Sequence, residues 1–350
     1  MKKIVLSAPG RFEIEETPRP EPSAGEALVK ITKVGICGSD MHLYRTGRIG
    51  NIGITGPFVI GHECAGQVVA VGQGVNPDLV SRRVAIEPAI SCGRCTWCVS
   101  GYPNLCPDVL FLGLPPKQGA LQEYIVHPAG LLEEIPDHLD DGGAVMLEPL
   151  AVAMHAVNLA KIKPGQTVVI LGTGVVGTCV LSLLSLWKAL KIICVDPIGD
   201  RLVRAEKMGA YLTINTGHVE EVQKQVFSAL EKSGAHVVFE CAGATESLRA
   251  MCEVAGPGAH VVVIGSNPRD DVIFSSGSAR RKGLTLRFVR RSNNTLKPCI
   301  HLAEERFISP GDLVTHTFSA PQVTQAFETV GAYADGVLKA LIDMEDWTRE

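Results

Sequence analysis

The chain has 350 residues, 46% of them hydrophobic, and its 33 Lys and Arg against 37 Asp and Glu give a net charge of −4. This length suggests about two domains with ample material for a core. The slightly acidic balance argues against a general nucleic-acid binder, which carries a basic surplus, and without a run of ~18 apolar residues no membrane span is expected.

The first ten residues, Met-Lys-Lys-Ile-Val-Leu-Ser-Ala-Pro-Gly, are too short in their apolar part for an export signal and read as a first β-strand. With no export signal, the 11 Cys point to a reduced cytoplasmic compartment. Clustered cysteines there more often hold metal than form disulfides. Cys64, Cys179, Cys194, Cys241, Cys252 and Cys299 are dispersed, mostly among apolar neighbours, and read as core residues.

Residues 1 to 155 read as a β-rich domain. Pro18, Pro20 and Pro22 make a stiff loop before an alternating strand, Glu26 to Val34. Further short strands are expected at Gln67–Gly72 and Arg83–Pro88. Ahead of these two, Val34 to Gly66 carries Cys37, Ser39, Asp40 and His42, then His62 and Glu63. Sulfur, nitrogen and oxygen donors together suit zinc, and three protein ligands with an open fourth position describe a catalytic site. Taken alone, this Cys and His cannot be told from core residues, because their separation is no spacing code.

Cys92-Gly-Arg-Cys95-Thr-Trp-Cys98, with Cys106 eight residues on, is the strongest local signal. Four thiolates this close repel one another without a cation, and a closed four-sulfur set predicts a structural zinc.

Thr167 to Gly177 is an apolar β run ending in Gly172-Thr-Gly174-Val-Val176-Gly177. A helical stretch from Thr178 to Leu190 follows, then a strand ending in Asp196, 19 positions after Gly177. Strand, glycine turn, helix and acid in this order predict a dinucleotide site. Gly172 permits the turn, Gly174 the approach of the pyrophosphate, and Gly177 close packing of the helix. Asp196 is expected to accept from the adenosine ribose and so favour NAD over NADP, with Arg201 softening that preference. Helices at Arg201–Met208, Glu220–Lys232 and Ser247–Val254 alternate with strands at Ala235–Gly243, His260–Gly265 and Leu284–Val289. The second of these helices is amphipathic, and the third is expected to stop at Gly256-Pro257-Gly258. This alternation predicts a doubly wound parallel sheet with ligand at the carboxyl ends of its strands. The loops after Gly243 and at Ile264–Gly265, with Val176 and Val289, are expected to line the cofactor. Beyond Arg291, helices at Lys297–Arg306 and Gln322–Val330 and strands at Leu313–Phe318 and Val337–Asp343 are expected to rejoin the N-terminal domain.

A Gly-Ile-Cys-Gly-Ser-Asp segment, a Gly-His-Glu segment, a four-Cys loop and a Rossmann unit in that order resemble the zinc-containing medium-chain dehydrogenases. The stretches Leu147-Glu148-Pro149-Leu150, Tyr44 to Gly50 and Phe288-Val-Arg290-Arg-Ser-Asn293 look closest to the sorbitol (L-iditol, xylitol) dehydrogenase branch. The resemblance implies an α/β chain with a GroES-like β-rich catalytic domain, residues 1–155 and 292–350, and a Rossmann domain, residues 156–291. It implies that Cys37 and His62 ligate the catalytic zinc, with Glu63 and Glu148 sharing the remaining role, and that Arg290 binds a substrate hydroxyl or water. The implied activity is NAD-linked oxidation of a polyol by a zinc enzyme with two zinc ions per chain. Ser39 and His42 are expected to relay the hydroxyl proton. The resemblance also implies a homo-oligomer, tetramer over dimer; the charge balance and the lack of a long apolar run are what argue for no nucleic-acid or membrane partner. Alternatives within the family are a sugar-alcohol phosphate, suggested by Arg290 and Arg291, or L-threonine; outside it, a zinc-ribbon interaction module or structural protein. The sequence departs from the branch at Leu43 and Arg291, where Tyr is common. His127, His138, His155, His218, His236, His260, His301 and His316 show no metal spacing and read as structural or solvated.

Overall fold

The computed structural model describes residues 1–267 and 271–347. Contacts divide the chain into two units, Met1–Glu148 with Leu296–Glu350, and Pro149–Thr295.

In the first unit β1 (Lys2–Ala8) and β2 (Arg11–Glu16) form a hairpin. β3 (Glu26–Gly35) leads into α1 (Gly38–Thr46), and β4 (Arg48–Ile49) and β5 (Ile52–Gly53) make a small hairpin. Next come β6 (Glu63–Val71), β7 (Arg83–Ile86), β8 (Ala89–Ile90), α2 (Thr96–Val99), β9 (Leu110–Phe111), β10 (Tyr124–Pro128), β11 (Leu132–Glu134) and α3 (Asp141–Ala160).

The second unit begins within α3 and continues with β12 (Thr167–Leu171), α4 (Val175–Leu184), β13 (Lys191–Val195), α5 (Gly199–Lys207) and β14 (Leu212–Ile214). Then follow α6 (Val219–Ala229), β15 (Ala235–Glu240), α7 (Thr245–Val254), β16 (Ala255–Val263), α8 (Ser276–Lys282) and β17 (Thr285–Phe288). Its six strands are parallel in the order β14-β13-β12-β15-β16-β17. The order reverses between β12 and β15, which opens a crevice at their carboxyl ends. Val168, Val169, Ile170, Ile193, Val238 and Val261 are fully buried, as expected for strands covered on both faces.

α9 (Leu296–Glu304), β18 (Val314–Ser319), α10 (Val323–Ala332) and β19 (Lys339–Asp343) return to the first unit. They complete a sheet ordered β11-β7-β6-β3-β19-β18, in which β10 also pairs with β3. The inward faces of β3, β6 and β19 bury Val29, Ile31, Val68 and Ile342. Alternation in these strands follows from the pleat, which sends successive side chains to opposite faces.

Several expectations shift. The boundary set at residue 155 falls inside α3, and the contacts divide at Glu148, seven residues earlier. α3 is long and apolar enough to cross a membrane, but most of it is buried inside the protein. It is apolar nearly all round because it is a core helix; Glu148 and Pro149 interrupt the run that a scan of the sequence looks for. The glycines at 256 and 258 fall within β16, in the register shift opposite Ala235 and Val237. α4 starts at Val175 because Gly174 is its N-cap, and it ends at Leu184, six residues before the expected end.

Candidate active site

Cys37 is the N-cap of α1, and its backbone N–H donates to Oδ2 of Asp40 at 3.0 Å. The other Asp40 oxygen lies 3.5 Å from His62 Nδ1. Asp40 therefore fixes the start of the helix and sets a negative oxygen beside the imidazole, at ion-pair rather than hydrogen-bond range. With Nδ1 turned to Asp40, Nε2 is the ring nitrogen left for a metal. Donor atoms of Cys37, His62 and Glu63 lie within 4.8 Å of one another. His62 and Glu63 are buried, at the entry of β6.

The electrostatics suit a cation. Burial pushes the Cys37 thiol up, but His62 beside it outweighs this and brings it down to about 7. Burial works against a charged His62, yet Asp40 and Cys37 raise its pKa well above the usual value. Thiolate and imidazolium thus stabilise each other, and a divalent ion can take the place of the proton between them. The donor set of sulfur, nitrogen and oxygen, with a carboxylate beside the ring, fits zinc.

Glu148, on α3, is buried close enough for Cys37, Glu87 and Asp40 to act on it. Burial first, then these anions, raise its carboxyl to about 8, with His62 opposing. It lies outside the three-residue donor cluster. Ser39 and His42 are half-buried on α1 just past Cys37.

In the four-Cys loop the Sγ atoms of Cys92 and Cys98 are 4.0 Å apart, and those of Cys95 and Cys98 are 3.5 Å apart. Cys106 Sγ accepts from the backbone N–H of Cys92 at 3.4 Å. Sulfurs on a tetrahedron at a zinc–sulfur distance of 2.3 Å stand about 3.8 Å apart, whereas a disulfide requires about 2.05 Å. All 11 cysteines are free thiols. Backbone N–H groups of Arg94 and Cys95 lower the Cys92 thiol to about 6, so it is prepared as a thiolate. This loop fits a closed structural zinc.

In the second unit Gly172 has φ +90°, and a Cβ there would lie 2.7 Å from that of Ala242. A Cβ on Gly177 would lie 1.9 Å from Gly172 O, so only glycine lets α4 approach the turn. Asp196 is buried at the end of β13. Its Oδ2 accepts from Thr173 N at 2.8 Å and Thr173 Oγ1 at 3.2 Å, and its Oδ1 accepts from Ile198 N at 2.9 Å. Arg201 Nη1 stands 3.6 Å from Oδ2. Asp196 thus holds the glycine turn in addition to any ribose contact.

The backbone N–H groups of Ile264 and Gly265 donate to Glu240 O. Glu240 Oε1 accepts from Ala242 N, Gly243 N and Ser247 Oγ, which ties the loops after β15 and β16 together. Val176 is half-buried in the first turn of α4, and Val289 N donates to Val263 O. Arg290 is exposed, two residues beyond β17.

Asp40 was visible in the sequence without a role. Thr173, Glu240 and Lys339 were missed. Lys339 had a signal, as a lysine in register with Val337 and Leu341 in an apolar strand. Its Nζ donates to Glu63 Oε2 and, at 3.1 Å, to Ile36 O.

Residues 23–137 match the model of the alcohol dehydrogenase GroES-like domain, and residues 175–305 that of the zinc-binding dehydrogenases. Sorbitol dehydrogenase of Bacillus subtilis is 34% identical, over 98% of this chain and 97% of its own length. A solved oxidoreductase of unknown specificity from Escherichia coli superposes with a TM-score of 0.91 at 33% identity, covering 98% of both chains. An alcohol dehydrogenase from E. coli CFT073, solved with NADH, gives 0.90 at 31% identity, covering 98% of this chain and 99% of that one.

Proposed function

The chain belongs to the zinc-binding dehydrogenases with an alcohol dehydrogenase GroES-like domain, and from that membership we propose that it oxidises a secondary hydroxyl of a free polyol of the sorbitol or xylitol kind and passes the hydride to NAD. Zinc, when bound, supplies a Lewis acid that brings the pKa of a hydroxyl toward neutrality. The nicotinamide supplies the hydride acceptor.

The residues divide the rest of the work. Cys37, His62 and Glu63 would hold the catalytic ion, with Asp40 beside the imidazole. Cys92, Cys95, Cys98 and Cys106 would hold the structural ion. Ser39 and His42, following Cys37 on α1, carry the released proton outward. Glu148, a buried carboxyl beside this set, accepts hydrogen bonds from hydroxyl groups. Arg290 binds a further substrate hydroxyl. In the nucleotide unit, the turn at Gly172, Gly174 and Gly177 receives the pyrophosphate at the start of α4. Asp196 meets the ribose hydroxyls and repels a 2′-phosphate.

The observation that carries the polyol reading is the pair of buried carboxyls, Glu63 and Glu148, beside a single thiol. Glu63 would serve the ion, which leaves Glu148 as a hydrogen-bond partner for a substrate with several hydroxyls. The match to a sorbitol dehydrogenase along almost the whole chain supports it. The free thiols support a cytoplasmic setting, and the family resemblance supports a homo-oligomer, tetramer over dimer.

The test is a substrate panel followed by NADH absorbance: free polyols, polyol phosphates, L-threonine and simple alcohols. Free polyols should give the highest kcat/KM. A clear preference for a phosphorylated polyol or for threonine would overturn the reading in favour of that substrate.

A further inference from the structure

Lys339 opens β19 with its side chain 0% exposed, and the Glu63 side chain that it meets is 3% exposed. Three adjacent strands make this contact. Gly35 of β3 stands opposite Glu63 of β6 on one side and Leu341 of β19 on the other. A Cβ on Gly35 would lie 2.6 Å from Glu63 Oε2 and 2.7 Å from Lys339 Cε, so the glycine makes room for the pair. The ammonium spends one donor on Glu63 Oε2 and a second on Ile36 O, the carbonyl just before Cys37. Cys37 and Asp40 also act on it.

A buried lysine needs anions around it. Here those anions are the ones gathered around the metal site. We propose that Lys339 is the positioning residue of the catalytic metal: it occupies Glu63 Oε2, so that Glu63 offers the ion one oxygen only and leaves a coordination position open for substrate. Without this restraint a carboxylate can ligate through both oxygens, and the position that an alcohol must enter is filled. Lys339 touches neither substrate nor cofactor and acts through Glu63. The inference rests on the reading of Cys37, His62 and Glu63 as the catalytic set.

The test uses full-length protein loaded with Co²⁺, whose visible absorption reports coordination number. Subtracting the spectrum of Cys37→Ala isolates the catalytic ion. The wild-type difference spectrum should show the intense bands of a four-coordinate site. Lys339→Met fills the same volume without donors, and should lose most of that intensity as coordination rises. Its release of zinc to a chelator should slow, because the ion gains a ligand, and kcat should fall more than KM rises. Lys339→Met with Glu63→Gln should show no such slowing relative to Glu63→Gln alone.

An unchanged spectrum and release rate in Lys339→Met would overturn the proposal, as would the same change in the Glu63→Gln background. If wild type shows no Cys37-dependent cobalt at all, the reading of the site itself fails. Should Lys339→Met not fold, X-ray absorption at the cobalt edge of wild type, corrected by Cys37→Ala, decides the matter. One sulfur and three light-atom ligands support the proposal, and a fourth light atom contradicts it.

Discussion

Cys37 acquires its reactivity from three neighbours rather than from its own type. A helix N-terminus favours its thiolate, His62 lowers its pKa to about 7 against the effect of burial, and Asp40 holds its backbone. The motif residues were legible because ligands must be particular residue types. Asp40 and the apolar-strand position of Lys339 were legible, but their contacts with Cys37 and Glu63 were not, because such contacts have no spacing of their own. Asp196 shows the same limit: its place after β13 was legible, but not its grip on Thr173. Asp196→Ala should therefore raise the KM for NAD by about 10-fold or more and shift the NADP-to-NAD ratio of kcat/KM upward. An unchanged ratio would remove the ribose argument. His127 gives a pH prediction. It is fully buried, its Nε2 donates to Glu87 O at 2.9 Å, and its Nδ1 has no partner among the described residues. Burial lowers its pKa from 6.5 to about 4. The folded state then refuses a proton that the unfolded chain accepts below about pH 6.5. Stability should decline as pH falls from about 6.5 toward 4, by roughly 3 kcal/mol from this group, and level off below. In His127→Gln that portion of the decline should vanish from denaturant titrations across the same range.

Among the elements, the parallel sheet was the most legible, since apolar runs alternating with helices allow few other arrangements. α1 and α3 were not. Nine residues around catalytic side chains carry no clean apolar period in α1, and α3 is apolar on too many faces to show one. The glycine turn offers a direct test. Gly177→Ala places a methyl carbon 1.9 Å from Gly172 O, against backbone that cannot yield cheaply. NADH binding, followed by the quenching of Trp fluorescence, should weaken by at least ~10-fold. The metal content of the first unit should stay at the wild-type value. Cys95→Ser breaks the four-sulfur set at the start of α2. It should remove one zinc per chain and lower the thermal midpoint by several degrees, because a structural zinc contributes folding energy outright. A variant retaining both zinc ions would show that the four sulfurs are not the ligands.

At the scale of the molecule, metal chemistry and nucleotide binding are assigned to separate units of one chain. The first unit carries Cys37, His62, Glu63 and Glu148 as well as the four-Cys loop, and the second carries the whole glycine turn. The order of motifs made this division legible. The boundary was displaced because a single helix, α3, belongs to both units. The central claim is that a zinc ion at Cys37 is the one on which hydride transfer depends. Zinc content per chain, measured beside NADH formation from a polyol in wild type and Cys37→Ala, tests it most directly. Wild type should carry two zinc ions and turn over. Cys37→Ala should fold, keep one zinc, and lose at least ~10³-fold in turnover. A Cys37→Ala protein that keeps wild-type activity would contradict the account.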